Sequence, residues 1–296
     1  MIKIFTIIML LCALSCSENE DSANTEKIFV NDIEREYILY IPESYDGNSK
    51  LPILLNFHGG GMDASGQLYI SDMRSLADTE NFILVYPEGL YGLWNVSLPS
   101  DSESKNNTDD IGFINTLIDQ IASTYNVDTS RVYATGFSNG AGMSYTLACA
   151  MSNKIAAIVS MSGLLYKHTA ENSKPGPVAI MSIHGTADQD RPYDGINNYY
   201  YSIDDIHDYW IDQNVTNKVP DITSFNSNGQ TVEYHSYKNG INNTSIDHYK
   251  VIGGEHWWLD IEYEGLNTNR IIWDFVSKYD TNGSVSYTHL TLPTKA

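Results

Sequence analysis

Basic side chains are scarce in this chain: 17 Lys and Arg stand against 37 Asp and Glu over 296 residues, a formal net charge of −20. That balance excludes a nucleic-acid partner, because phosphate-backbone binding rests on clustered Lys and Arg. Cysteine is also sparse, with three residues, Cys12, Cys16 and Cys149. The first two fall in the N-terminal leader, so Cys149 in "YTLACAM" is left as a small buried hydrophobe and no intrachain disulfide is expected. The mostly apolar run at residues 4–14 is of signal-peptide length and too short to span a bilayer. No set of His, Cys and carboxylate residues clusters with ligand spacing, so neither a metal nor another cofactor is expected. What the chain does have is apolar and aromatic content, 42% and 11%, which suits a packed core and argues against a disordered chain.

Both ends read as separate from the folded part. Lys3 and the apolar run lead through Ala13 and Ser15 into Cys16, which resembles a bacterial lipobox with Ala13 where Leu is usual. Residues 1–15 are therefore read as a signal peptide, Cys16 as the lipidated first residue, and the polar, acidic residues 16–25 as a tether. The alternative is a simple secretory signal cut nearby. Either way the protein is expected to be exported, to the cell envelope or beyond, touching membrane only through a lipid anchor. At the other end, "VSYTHLTLPT" has no helix or core logic and resembles a translated sequencing-library adapter. Residues 281–296 are read as a non-native tail, with artificial sequence after about Ser284.

Between the ends, residues 26–280 alternate strand and helix without repeat or linker. "LPILLNFHGGG", "FILVYPEG", "RVYATGFSNG", "AAIVSMSG" and "PVAIMSIHG" are apolar runs that end in Gly, the form of buried parallel strands leading into tight turns. "DDIGFINTLIDQIASTYNVD" places Ile111, Ile114, Leu117, Ile118, Ile121 and Tyr125 at helical spacing behind Asp109 and Asp110, an N-cap and a first-turn acid. The fold class expected is α/β, one domain with a mainly parallel sheet covered by helices on both faces. Two stretches, "YGLWNVSLPSDSESKNNT" and "NVTNKVPDITSFNSNGQ", read as irregular loops.

The chemistry centres on "YATGFSNGAG". A lone G-x-S-x-G is weak, but here a β-branched and aromatic strand precedes Ser138 and a helix-forming run follows it. That is the setting of a nucleophile elbow, in which small neighbours let the Oγ stand clear of the backbone. A serine nucleophile needs a base, and the base an orienting acid, in the chain order Ser, acid, His. Asp188 lies just past the strand "PVAIMSIHG", with Asp190 and Asp194 as close rivals. Among eight histidines, His58, His168 and His184 precede the acid, His207 falls in a helix, His235 and His248 in strands, and His289 in the tail. His256 alone occupies a Gly-flanked loop, "GGEHWWLD", between the last strand and the final helix. An oxyanion hole needs two backbone N–H groups, expected from Asn139 and from Gly60 or Gly61 in "HGGGM". Only the N–H of Asn139 is required, so its side chain is expected to tolerate change.

With those residues in place, "LLNFHGGG", "VYPEG", the run from "DDIGF" to "YTLAC", "HGTAD" and "GGEHWW" together resemble the polyhydroxybutyrate depolymerase-like and feruloyl esterase-like group of α/β-hydrolases, over about residues 36–279. The resemblance implies the α/β-hydrolase fold with Ser138 as nucleophile, Asp188 as acid and His256 as base, and a secreted enzyme cutting polymer esters. It departs from the family in lacking cysteines in the first glycine motif and after "YPEG", so the loop 90–108 is the least transferable part. Trp258 and Trp94 are candidate substrate-binding residues, the first able to stack on an aryl or sugar ring two positions past the base. The activity expected is hydrolysis of feruloyl or acetyl esters of plant polysaccharide. Polyhydroxyalkanoate depolymerisation, acyl transfer to a sugar, and a surface lipoprotein that keeps the fold but only binds are the alternatives.

Overall fold

The structure is a computed structural model that describes residues 25–98 and 108–285. The signal peptide, Cys16, most of the tether and the tail from residue 286 lie outside the described residues.

Ten strands form one sheet in the order β1-β2-β4-β3-β5-β6-β7-β10-β9-β8. Their ranges are β1 Thr25–Val30, β2 Ile33–Tyr40, β3 Leu51–Phe57, β4 Ile83–Pro87, β5 Val127–Phe137, β6 Ile155–Met161, β7 Ala179–Gly185, β8 Asp221–Ser227, β9 Gln230–Tyr237 and β10 Ile246–Val251. From β4 through β3, β5, β6 and β7 to β10 every pairing is parallel, and an antiparallel pair closes each edge. Every residue of β3, β4, β6 and β7 is buried, as the continuous apolar runs require of strands covered on both faces.

Alternate residues feed two cores. Ile53, Leu55 and Phe57 of β3 pack with α3 (Asp110–Thr124), α4 (Asn139–Ala150) and α6 (Ile203–Asn214) on one face. Leu54 packs on the other with α1 (Ala64–Ile70), α2 (Arg74–Glu80) and α7 (Thr268–Val276), while a short α5 (Lys167–Glu171) follows β6. Asp109 caps α3 through a hydrogen bond from Gly112 N–H, as its spacing suggested. Asp110 does more than a first-turn acid. It is buried against Arg35 at 2.7 Å and accepts from Asn95 N–H at 2.7 Å, tying α3 and β2 to the loop before residue 98.

Two expectations need correction. The stretch read as irregular before β9 contains β8, an edge strand joined to β9 through Asn228 and Gly229, both at positive φ. The domain boundary drawn at 280 cuts a hairpin: Tyr279–Asp280 pairs with Gly283–Ser284, and Thr281 N–H donates to the Ser130 carbonyl.

Candidate active site

The turn at Ser138 is enforced by close packing. β5 ends at Phe137 and α4 begins at Asn139, so Ser138 alone makes the bend, at φ 54° and ψ −111°. Such a backbone costs a non-glycine residue about 1–3 kcal/mol and persists only where its surroundings over-determine it. Here Ser138 N–H donates to the Met161 carbonyl and its own carbonyl accepts from Gly142 N–H. A Cβ on Gly136 would sit 2.7 Å from the Gly140 carbonyl, and one on Gly140 would run into the carbonyls of Phe57 and His58. The small flanking residues are thus a steric requirement of the bend.

Two further loops meet Ser138 because they are stitched to each other. After β7, Thr186 N–H donates to the Val251 carbonyl and Ala187 N–H to the Gly254 carbonyl, both at 2.9 Å. This joins the loop carrying Asp188 to the loop carrying His256. His256 Nε2 lies 2.9 Å from Ser138 Oγ, and its Nδ1 lies 2.8 Å from Asp188 Oδ2. The other Asp188 oxygen accepts the N–H groups of Asp190 and Arg191 at 2.9 and 2.7 Å. Burial pushes the Asp188 carboxyl up, but the hydrogen bonds from His256 and Arg191 outweigh it and hold the group below the ordinary carboxylate value. Asp190 and Asp194 are exposed, and the carboxylate beside His256 is that of Asp188. Ser162, at φ 50°, donates its hydroxyl to the Trp257 carbonyl at 2.8 Å and so secures the chain just past His256.

His58 and His184 have local duties. Gly89 N–H donates to His58 Nε2 at 2.9 Å, so the proton of the neutral ring is on Nδ1, facing the Gly59 carbonyl at 2.8 Å. Burial pushes both imidazoles down, which favours the neutral form. His184 Nε2 then donates to the Arg191 carbonyl at 2.8 Å, and its 3.5 Å approach to Asp188 is not an ion pair.

Of the two glycines expected to help bind an oxyanion, Gly61 already donates its N–H to the Gly92 carbonyl at 2.8 Å. Gly60 is exposed and faces the same cavity as Asn139. The Asn139 side chain, expected to matter little, is engaged. Its Oδ1 accepts Trp94 N–H at 2.7 Å and its Nδ2 donates to the Trp94 carbonyl at 3.2 Å, a two-point clamp on the loop that walls the site. No local sequence signal marks this contact across 45 residues.

Trp94 is 3% exposed, packs edge-on against Phe57 and donates Nε1–H to the His58 carbonyl. It is mainly a buried strut of the cleft wall, although part of it lines the cavity on the Asn139 side. Trp258 is half-buried in a cavity of about 580 Å³ shared with Phe137, Met62 and Trp257. A second cavity, about 510 Å³, opens on the Asn139 side. Its walls include Tyr166, Tyr199, Tyr200 and Arg191, none of them singled out in the sequence.

Known proteins are similar in the same region. The chain is 29% identical over 265 residues to the bifunctional acetylxylan esterase/xylanase of Neocallimastix patriciarum, covering 87% of this chain and 36% of that protein. It is 33% identical over 175 residues to feruloyl esterase C of Emericella nidulans, covering 56% of this chain and 60% of that protein. It thus spans less than two thirds of either relative's length. Among solved structures, the acetyl xylan esterase from Aspergillus awamori shares the fold with a TM-score of 0.60 at 19% identity, over 79% of this chain and 94% of that one. The model of the phospholipase/carboxylesterase family of α/β-hydrolases matches residues 49–206, more than half of the chain, and the chain belongs to that family.

Proposed function

We propose that the protein is an exported serine esterase that hydrolyses feruloyl or acetyl esters of plant polysaccharide through an acyl-enzyme. The observation that carries this reading is the continuous line of hydrogen bonds from Ser138 Oγ to His256 Nε2 and from His256 Nδ1 to Asp188 Oδ2, at 2.9 and 2.8 Å. In it, His256 Nε2 takes the hydroxyl proton as Oγ attacks the ester carbonyl carbon. The oxyanion that forms is held by the N–H groups of Asn139 and Gly60, and Asp188 stabilises the imidazolium through Nδ1–H. Collapse of the tetrahedral intermediate expels the alcohol, which leaves with the proton from Nε2. Water then gives a proton to the same nitrogen as it attacks the acyl carbon, and collapse of the second intermediate breaks the bond to Ser138 Oγ, which regains the proton from Nε2 as the acid leaves.

The substrate class is supported by the two relatives, and the two cavities, one reached by Phe137 and the other by Asn139, offer room for an acyl and an alcohol group. Export is supported by the leader and the lipobox-like approach to Cys16. The test is hydrolysis of methyl ferulate, acetylated xylan and polyhydroxybutyrate by the wild-type protein and by Ser138→Ala. Release of ferulate or acetate, falling by about 10³-fold or more in the variant, is expected. Turnover of polyhydroxybutyrate alone would move the substrate class. No turnover of any ester would favour a binding protein.

A further inference from the structure

We propose that Arg191 makes the Asn139-side cavity a subsite for a carboxylate carried by the ester substrate, so that acidic esters are preferred over neutral ones. The inference rests on the esterase reading, because the cavity is contiguous with the oxyanion donors. Gly60 and Asn139 line it together with Arg191, so an ester whose carbonyl sits on those donors projects a substituent towards the guanidinium.

Arg191 is fixed from both sides of its backbone. Its N–H donates to Asp188 Oδ1 at 2.7 Å, and its carbonyl accepts from His184 Nε2 at 2.8 Å. The guanidinium lies over the Tyr200 ring, 5.4 Å from its centroid, and Nη1 donates to the Asp190 carbonyl at 2.9 Å. These contacts orient the fork and leave Nη2 and Nε without an acceptor among the described residues. Arg35, Arg74 and Arg270 each hold a carboxylate, whereas no carboxylate among the described residues lies within 4 Å of the Arg191 guanidinium. In a chain with 37 acidic and 17 basic residues, a guanidinium without a carboxylate partner that lines the same cavity as Asn139 is unusual. A fork oriented over an aromatic ring suits bidentate recognition of a carboxylate.

The carboxylate has two possible sources, an acyl group that is a half-ester of a dicarboxylic acid or an alcohol part that is an acidic sugar. One experiment separates them by comparing kcat/KM for paired substrates. 4-Nitrophenyl hemiglutarate against 4-nitrophenyl butyrate reads the acyl side; acetylated glucuronic acid against acetylated xylose reads the alcohol side. In one arm the wild-type acidic-to-neutral ratio is expected to fall about tenfold in Arg191→Gln, to recover in part in Arg191→Lys, and to shrink at high salt. The arm that responds names the source. A ratio unchanged in both arms, or equal losses on acidic and neutral esters, overturns the proposal, since Arg191 would then only hold the Asp188 turn. Absence of hydrolysis of every ester, acidic and neutral alike, in the wild type would instead overturn the esterase reading itself.

Discussion

Asn139 clamps both backbone groups of Trp94 while its own N–H lies one residue past the nucleophile. Asn139→Ala would leave the Trp94 N–H without its acceptor at a half-buried site, a cost of about 1–3 kcal/mol. It is expected to lower the melting temperature and to reduce kcat/KM by about tenfold through slack in the cleft wall. Thermal melting and steady-state kinetics on one neutral ester check both, and a variant with wild-type values would show the clamp to be idle. The choice among three nearby acids is equally sharp. Asp188→Asn is expected to lower kcat by roughly 10³–10⁴-fold, because the imidazolium loses its partner, whereas Asp190→Asn should stay near wild type. The position of Asp188 just past a buried strand was legible in the sequence, although the sequence left Asp190 and Asp194 as rivals. The Asn139 clamp was not, because its partner is brought near by tertiary folding alone.

At the level of elements, the parallel centre of the sheet was readable because apolar runs ending in Gly are what strands buried on both faces and feeding tight turns look like. β8 was missed for the opposite reason. It is an edge strand with mostly exposed residues, so neither alternation nor a continuous run marks it, and its order comes from pairing with β9. The Asn228–Gly229 dipeptide was the signal available, since both central residues adopt the positive φ of a two-residue hairpin. The tie between α3, β2 and the cleft loop depends on one buried pair, Arg35 and Asp110. Asp110→Ala would strand the guanidinium of Arg35 in the core and is expected to cost roughly 3–5 kcal/mol in chemical denaturation. Replacing both partners by apolar residues should recover much of that loss; an Asp110→Ala protein as stable as wild type would contradict the assignment.

Across the whole molecule, acidity dominates the charge balance, yet a group of buried histidines is kept neutral. Burial, with His235 and His184 nearby, pushes the His207 imidazole down to about 3, and burial with His207 nearby pushes His248 well below its ordinary value. Ser182 Oγ sits between them, 3.2 Å from His207 Nε2 and 2.8 Å from His248 Nδ1. For His207 the folded value lies below the ordinary 6.5, so the unfolded chain takes up the proton first as pH falls. Its contribution to stability is therefore present above pH 6.5 and is lost between 6.5 and about 3, at no more than about 1.4 kcal/mol per pH unit. Melting curves across that window should steepen in the wild type and flatten in His207→Gln; parallel curves would show that His207 takes no part. The central claim is that Ser138 is the atom acylated by an ester. Its most direct test is intact-mass and peptide mapping of the protein quenched during turnover of 4-nitrophenyl acetate. An acetyl group on the Ser138 peptide, absent in Ser138→Ala, is the expected result, and turnover with no adduct on Ser138, or with one elsewhere, would contradict it.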